Sequence, residues 1–114
     1  MVKYLLGVIT RVDEYAEIGG GKVGRNWWLA IYGTWPFAKL TVTRERLRLR
    51  LLWMVYEFSR SDVSSLEVRS GVLGVREIRI RHHVSGFPRL ILFRSYRFGT
   101  LRQRLEERLW SLTT

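Results

Sequence analysis

Apolar and polar residues alternate along most of the chain after Trp27, with the period of two that is typical of half-buried β-strands. Short groups of Gly, Pro, Ser and Asp separate the alternating runs, as turns do. The runs cover Trp27–Tyr32, 37–43, 46–51, 54–58, 66–68, 76–84 and 89–95. Together they predict about seven short antiparallel strands, arranged as a meander over residues 27–97.

The N-terminal segment 1–18 has a different spacing. Its apolar residues recur every three or four positions, which favours an amphipathic helix, while the β-branched run Val8-Ile9-Thr10 leaves a strand as the alternative. Three consecutive glycines then begin at Gly19. Because glycine interrupts regular structure, residues 19–26 are predicted to form a flexible connection.

The C-terminal segment 100–112 is predicted to be an amphipathic helix. Thr100 and Gln103 have the spacing of a capping box. A stripe of leucines at helical intervals would pack against the sheet, and it comprises Leu101, Leu105, Leu109 and Leu112. On a regular helix Trp110 lies about 180° from this stripe, so it either packs on the N-terminal segment or is exposed as a contact residue.

Strands followed by one helix predict a mainly β (β-rich α+β) fold, a sandwich or barrel that forms a single domain over residues 1–114. The chain is 46% apolar and 13% aromatic, which is enough to build a core without a metal or disulfides. It contains no cysteine, and this excludes disulfide scaffolds, Cys-based zinc sites, iron–sulfur clusters and thiol nucleophiles.

Several local patterns resemble the pleckstrin-homology-like (PH-like) family, which includes GRAM-like domains, and in particular its small bacterial members. The resemblance extends over roughly residues 20–112. It is carried by Gly33–Thr43 leading into Leu47-Arg48-Leu49, by 58–63 with Asp62, by Ile78–His83, by Leu92-Phe93 and by the leucine-rich last helix. It implies an antiparallel seven-stranded sandwich or barrel with a C-terminal capping helix. The helix that the apolar spacing favours for residues 1–18 would be an extra element.

The resemblance also implies a binding function. PH domains that bind phosphoinositides often carry a lysine followed at variable distance by a basic-x-Arg pattern, which Lys39, Arg46 and Arg48 match loosely. Other PH-like domains bind no lipid and use the same scaffold for protein contacts.

The chain is strongly basic, with 20 Lys and Arg against 10 Asp and Glu and a formal net charge of +10. Residues 36–114 carry 16 of these cations and seven of the anions. Seventeen of the cations are arginines, whose planar fork of donors suits phosphate and carboxylate groups. This composition indicates an anionic partner, although an arginine-rich surface that adds thermal stability is the alternative.

The candidate anion-binding residues lie on the outward faces of predicted strands: Lys39, Arg46, Arg48, Arg50, Arg79 and Arg81. The three arginines at 46–50 form a row about 13–14 Å long at ~3.4 Å per residue. Arg79 and Arg81 form a second, shorter row. If the two rows share one face of a sheet, the repulsion between their guanidinium groups favours a bound anion. The alternative is a solvated strand face whose arginine stems cover the sheet.

No pattern predicts catalysis, a cofactor or a metal. His82 and His83 are adjacent on a strand and therefore point to opposite faces, and no cysteine or nearby carboxylate completes a ligand set. No serine lies in a nucleophile elbow. The run Gly19-Gly20-Gly21-Lys22 lacks the spacing of a phosphate-binding loop. The chain is therefore predicted to be a binding module without catalytic, cofactor-binding or metal-binding residues.

Anionic lipid headgroups or an acidic protein surface are the expected partners. Nucleic acid is the alternative, and a homodimer through Trp27 or Trp110 is the second alternative. The longest uncharged run, Asn26–Ala38, is shorter than the ~20 apolar residues of a membrane-spanning helix. A cytoplasmic protein that associates peripherally with membranes is therefore expected.

Overall fold

The computed structural model describes residues 14–25, 30–71 and 74–113, and within these ranges it contains eight strands and one α-helix. The mainly β fold class is thus confirmed. The elements are β1 (Tyr15–Gly24), β2 (Ala30–Val42), β3 (Arg46–Leu51), β4 (Met54–Ser59), a 3-10 turn (Arg60–Asp62), β5 (Val63–Ser70), β6 (Arg76–His82), β7 (Leu90–Ser95), α1 (Phe98–Glu107) and β8 (Leu112–Thr113).

The described strands form one sheet in the order β4-β3-β2-β1-β7-β6-β5-β8. All neighbouring pairs are antiparallel except β5 and β8, which are parallel. β1 joins two meanders because it pairs with β2 on one side and with β7 on the other. The prediction of about seven strands divided β2 in two, because the described parts of the predicted strands 27–32 and 37–43 belong to one strand. It also missed β1 and β8, since neither has an alternating pattern.

One face of the sheet forms the core, and we call it the inner face; the opposite face is the outer face. In β3 the three leucines are buried and the three arginines are exposed, as the alternation predicts. Leu101 and Leu105 of α1 are fully buried in the same core cluster, so the helix packs against the inner face. The outer face lies away from α1 and carries the arginines of β3, whereas in β7 it carries the buried residues Leu90 and Leu92.

The predicted N-terminal helix is wrong for residues 15–18, and the predicted flexible connection is wrong for 19–24, because β1 includes both segments. The register between β1 and β2 shifts between Gly19 and Gly21. A Cβ atom at Gly19 would overlap the carbonyl oxygen of Arg94 and lie 2.8 Å from Cζ of Phe93. The glycines therefore permit close packing of neighbouring strands and do not serve as a hinge. Residues 1–13 and Trp27 lie outside the described residues.

The register shift produces a large bulge in β2. Gly19 pairs with Ala38 and Gly21 pairs with Gly33, so Gly20 alone stands opposite the four residues of segment 34–37. These four residues are all exposed. The extra chain length cannot be accommodated in the ladder, and it is displaced outward as a bulge.

A buried carboxylate links β1 to the end of β7. Glu17 accepts hydrogen bonds from the hydroxyls of Tyr15 (2.8 Å) and Ser95. Burial raises the pKa of Tyr15 to about 12, and the hydrogen bond to Glu17 adds to this effect. Each carboxylate oxygen of the buried Glu17 side chain therefore accepts one hydrogen bond.

The C-terminal helix is shorter than the predicted 100–112. It begins at Phe98 with Arg97 as N-cap, so Thr100 and Gln103 lie within it and do not form the predicted capping box. At its end Leu109 has φ 65°, and the Trp110 amide donates to the carbonyl of Leu105 (2.9 Å). This is the geometry of a Schellman turn, which reverses the chain.

The turn decides where Trp110 lies. Trp110 is 4% exposed, so the predicted exposure at an interface is wrong. Its Nε1 donates to the carbonyl oxygen of Thr43 (2.8 Å), and the guanidinium of Arg60 lies 4.2 Å from its ring centroid. Arg60 also donates to the carbonyls of Arg108 (2.8 Å) and Leu109 (2.9 Å). The end of the helix is thereby attached to the 3-10 turn and to the β2–β3 turn.

Gly19→Ala tests the close approach of β1 and β7. Because the added Cβ meets backbone as well as a buried ring, we expect the free energy of unfolding to fall by about 2 kcal/mol. Urea denaturation followed by tryptophan fluorescence measures this loss. Gly99→Ala is the matched control, since nothing lies within 4 Å of its added Cβ, and it should be neutral or gain up to about 1 kcal/mol. Equal stability of the two variants would contradict the steric explanation.

Leu109→Gly tests the Schellman turn. Leu109 is 64% exposed, so little apolar burial is lost, and glycine adopts its positive φ without strain. We expect a gain of about 0.5–1 kcal/mol in the free energy of unfolding, after the higher backbone entropy of unfolded glycine is included. Leu109→Ala keeps the strained backbone and should show no gain. A Gly variant no more stable than the Ala variant would argue against this strain.

Candidate functional site

All six predicted anion-binding residues lie on the outer face of the sheet, but they form two separate groups. Lys39 on β2 and the arginines of β3 make the first group, and Arg79 and Arg81 on β6 belong to the second. At ~4.8 Å per strand, β6 is separated along the sheet by roughly 14 Å from β2 and by roughly 19 Å from β3.

We call the first group the β2–β3 basic face: Lys39, Arg46, Arg48 and Arg50. Arg46 and Arg48 both bind Glu57 of β4, each at 3.2 Å. Within the described part of the chain, Lys39 and Arg50 form no ion pair. They are cross-strand partners, and they line a shallow groove of about 400 Å³. Glu57 therefore pairs with two of the four cations.

A group of exposed aromatic side chains adjoins the β2–β3 basic face. Trp35 and Phe37 of the β2 bulge are 58% and 55% exposed, and Trp53 in the β3–β4 turn is 81% exposed. The Leu52 amide donates to the carbonyl of Phe37 (2.9 Å), which holds the turn beside the bulge. We call these three residues the aromatic rim.

The sequence did not predict the aromatic rim. Aromatic side chains commonly belong to the core, and no local pattern marks Trp35, Phe37 or Trp53 as exposed. Isolated exposed apolar residues are ordinary, but three large rings at one end of a sheet form a surface feature. The β2 bulge is what exposes Trp35 and Phe37.

The second group lines a cleft of about 500 Å³ that we call the β6 basic cleft. Its cationic residues are Arg25, Arg79, Arg81 and Arg89, and His82, His83, Val84, Phe87 and Leu90 complete the lining. Arg25 follows β1 and Arg89 precedes β7, and the pairing of Gly24 with Leu90 brings them close. No local pattern marks Arg25 and Arg89, because neither belongs to an alternating row of cations.

Arg79 is the least solvated guanidinium of this cleft. Its pKa is lowered first by burial and then by the charge of Arg81, while Glu67 raises it; Arg69 and Arg89 lower it further. Its Nε atom is buried without a hydrogen-bond partner among the described residues. Glu67 itself binds Nε of Arg81 at 2.6 Å. The positive charge in the cleft therefore exceeds the nearby negative charge.

His82 has a structural role in the loop between β6 and β7. Its Nδ1 accepts from the Val84 amide (3.0 Å) and its Nε2 donates to the carbonyl of Pro88 (2.7 Å). Its ring also contacts Phe58 and Phe87, with centroids 5.1 Å and 6.0 Å away. His83 is exposed and contacts the Ser64 hydroxyl instead. Among the described residues, no group of three or more metal-ligating side chains comes together.

No helix among the described residues is long and apolar enough to cross a bilayer. Comparison with known protein families and with curated proteins finds no match for this chain.

Two carboxylates on the outer face should differ in their contribution to stability. Glu57 and its arginines are more than one-third exposed, whereas Glu77 is 7% exposed and accepts two hydrogen bonds from Arg94, at 2.8 and 3.1 Å. We expect Glu57→Gln to change the free energy of unfolding by less than about 1 kcal/mol. Glu77→Gln should cost about 2 kcal/mol or more, because it leaves Arg94 unpaired. Urea denaturation measures both, and equal losses would contradict this ranking.

Proposed function

We propose that this chain is a non-enzymatic PH-like binding module that attaches to anionic membrane surfaces through the β2–β3 basic face and the aromatic rim. The strand order supports the PH-like interpretation, because two antiparallel meanders meet where β1 pairs with β7 and a C-terminal helix closes the inner face. They favour the seven-stranded antiparallel arrangement, to which the two-residue parallel strand β8 is an addition.

The observation that carries the membrane proposal is the position of the aromatic rim beside Lys39 and Arg50, which form no ion pair with any described residue. Tryptophan and phenylalanine side chains favour the interfacial region of a bilayer, where their rings leave water. Lys39 pairs in register with Arg50, and Ile18 and Val55 continue the same row. Ile18 and Val55 are about half exposed. The row therefore combines apolar surface with positive charge.

The charges supply the selectivity for anionic lipid. A basic residue close to an anionic membrane contributes on the order of 1 kcal/mol. Lys39 and Arg50 are available for this without breaking an ion pair in the described part of the chain. Arg46 and Arg48 would first exchange their bonds to Glu57 for lipid phosphates.

An acidic protein surface and nucleic acid fit the charges alone. Neither requires three exposed rings at one end of the charged face, which is why the membrane is favoured. A nucleic-acid partner would show log–log salt dependence with a slope of about −0.9 for each phosphate contacted on duplex DNA.

The proposal predicts co-sedimentation with vesicles of phosphatidylcholine and phosphatidylserine, and little with phosphatidylcholine alone. Two variants should lose most of this binding: Lys39→Gln with Arg50→Gln, which removes charge, and Trp53→Ser with Phe37→Ser, which removes apolar surface. Glu57→Gln should bind more tightly, since it frees Arg46 and Arg48.

The matched control is Arg97→Gln with Arg102→Gln. It removes the same charge from exposed positions at the start of α1 and within it, and it should bind vesicles like the wild type. Binding that is indifferent to phosphatidylserine would overturn the proposal, as would equal losses in the control and the Lys39 and Arg50 variant.

A further inference from the structure

We propose that the β6 basic cleft is a second site, which binds the phosphate group of a small anionic ligand. It lies on strands other than those of the β2–β3 basic face and does not depend on membrane attachment. The phosphate can belong to a soluble phosphorylated compound or to a phosphorylated lipid headgroup, because both present the same group.

The excess of positive charge in the cleft is the first observation. Four arginines line it, and the carboxylate that acts on Arg79, Glu67, is already bonded to Arg81. Arg25 and Arg89 form no ion pair within the described residues. Close guanidinium groups repel one another, and a bound dianion would convert that repulsion into attraction.

The state of Arg79 is the second observation. A partly buried guanidinium with an unbonded Nε is an unfavourable arrangement on its own, since burial penalises the charged form. An anion in the cleft would compensate this charge directly. Arginine forks bind phosphate oxygens in pairs, so Arg79, Arg81 and Arg89 suit the tetrahedral group better than lysines would.

The position of Arg79 and Arg81 on a strand that is paired on both sides is the third observation. Arg79 and Arg81 project from β6, and β6 pairs with β5 on one side and with β7 on the other. His82 holds the following loop through its bonds to Val84 and Pro88. Binding therefore requires little ordering of the protein, and less affinity is lost to entropy.

The size and lining indicate a small molecule. A volume of about 500 Å³ lies within the range of small-ligand sites. Phe87 and Leu90 place apolar surface next to the arginines, where the carbon skeleton of a phosphorylated ligand would lie.

Isothermal titration with inorganic pyrophosphate in chloride buffer tests the proposal. The wild type should show saturable binding. Arg25→Gln with Arg89→Gln should weaken it about tenfold or more, and both residues are exposed, so the variant should fold. Arg79→Lys keeps the charge but removes the fork, and should also weaken binding. Arg97→Gln with Arg102→Gln is the control with equal net charge and should bind like the wild type.

Absence of saturable binding to the wild type would overturn the proposal. Equal weakening of pyrophosphate binding in the Arg97→Gln, Arg102→Gln control would also overturn it, because the binding would then depend only on the net charge of the protein. Lys39→Gln with Arg50→Gln should retain pyrophosphate binding whatever its effect on vesicles, so the two proposals fail separately.

Competition identifies the source of the phosphate once pyrophosphate binds. Vesicles that contain phosphatidylinositol 4-phosphate are added to the Lys39→Gln, Arg50→Gln variant. If they compete with pyrophosphate, the cleft accepts a lipid headgroup. If they do not, while inositol 1,4-bisphosphate does, the ligand is a soluble phosphorylated compound.

Discussion

The close approach of β1 to both of its neighbours is the constraint on which the rest of the structure depends. β1 is the only described strand that pairs with both meanders, and at Gly19 it lies too near the backbone of β7 to carry a side chain. At Gly20 a Cβ would lie 3.1 Å from the carbonyl oxygen of Gly33 in β2. Glycine at these positions allows the sheet to fold around one core. The extra residues of β2, segment 34–37, are displaced outward as a bulge.

The same constraint connects the fold to the proposed function. The bulge opposite Gly20 exposes Trp35 and Phe37 beside the β3–β4 turn, and the cross-strand register then places Lys39 and Arg50 next to them. On the other side of β1, its pairing with β7 brings Arg25 and Arg89 to the end of β6. Two basic surfaces with different character thus arise on one outer face. One is shallow and bordered by aromatic rings, and the other is a cleft lined by four arginines.

The C-terminal helix shows how a contact distant in sequence overrides a local pattern. The leucine spacing continues regularly to Leu112, but the helix ends at Glu107 because the chain turns at Leu109. After the turn, Trp110 enters the core beneath Arg60 and reaches the carbonyl of Thr43. Helical periodicity assigned this ring to the wrong side because it assumed that the helix continued.

Local periodicity by itself determined β3 to β7, the two ends of β2, the buried leucines and outward arginines of β3, and the presence of the last helix, because these features depend on neighbouring residues. The continuity of β2 was decided by its pairing with β1. The net charge, which follows from composition alone, predicted an anionic partner. Only the tertiary structure decided that 19–24 is a strand and that the predicted cations form two groups. It also decided that Arg25, Arg89 and the aromatic rim belong to candidate sites. The physical reason is that steric fit, register and strand order join residues far apart in the chain, and no local spacing records which of them meet.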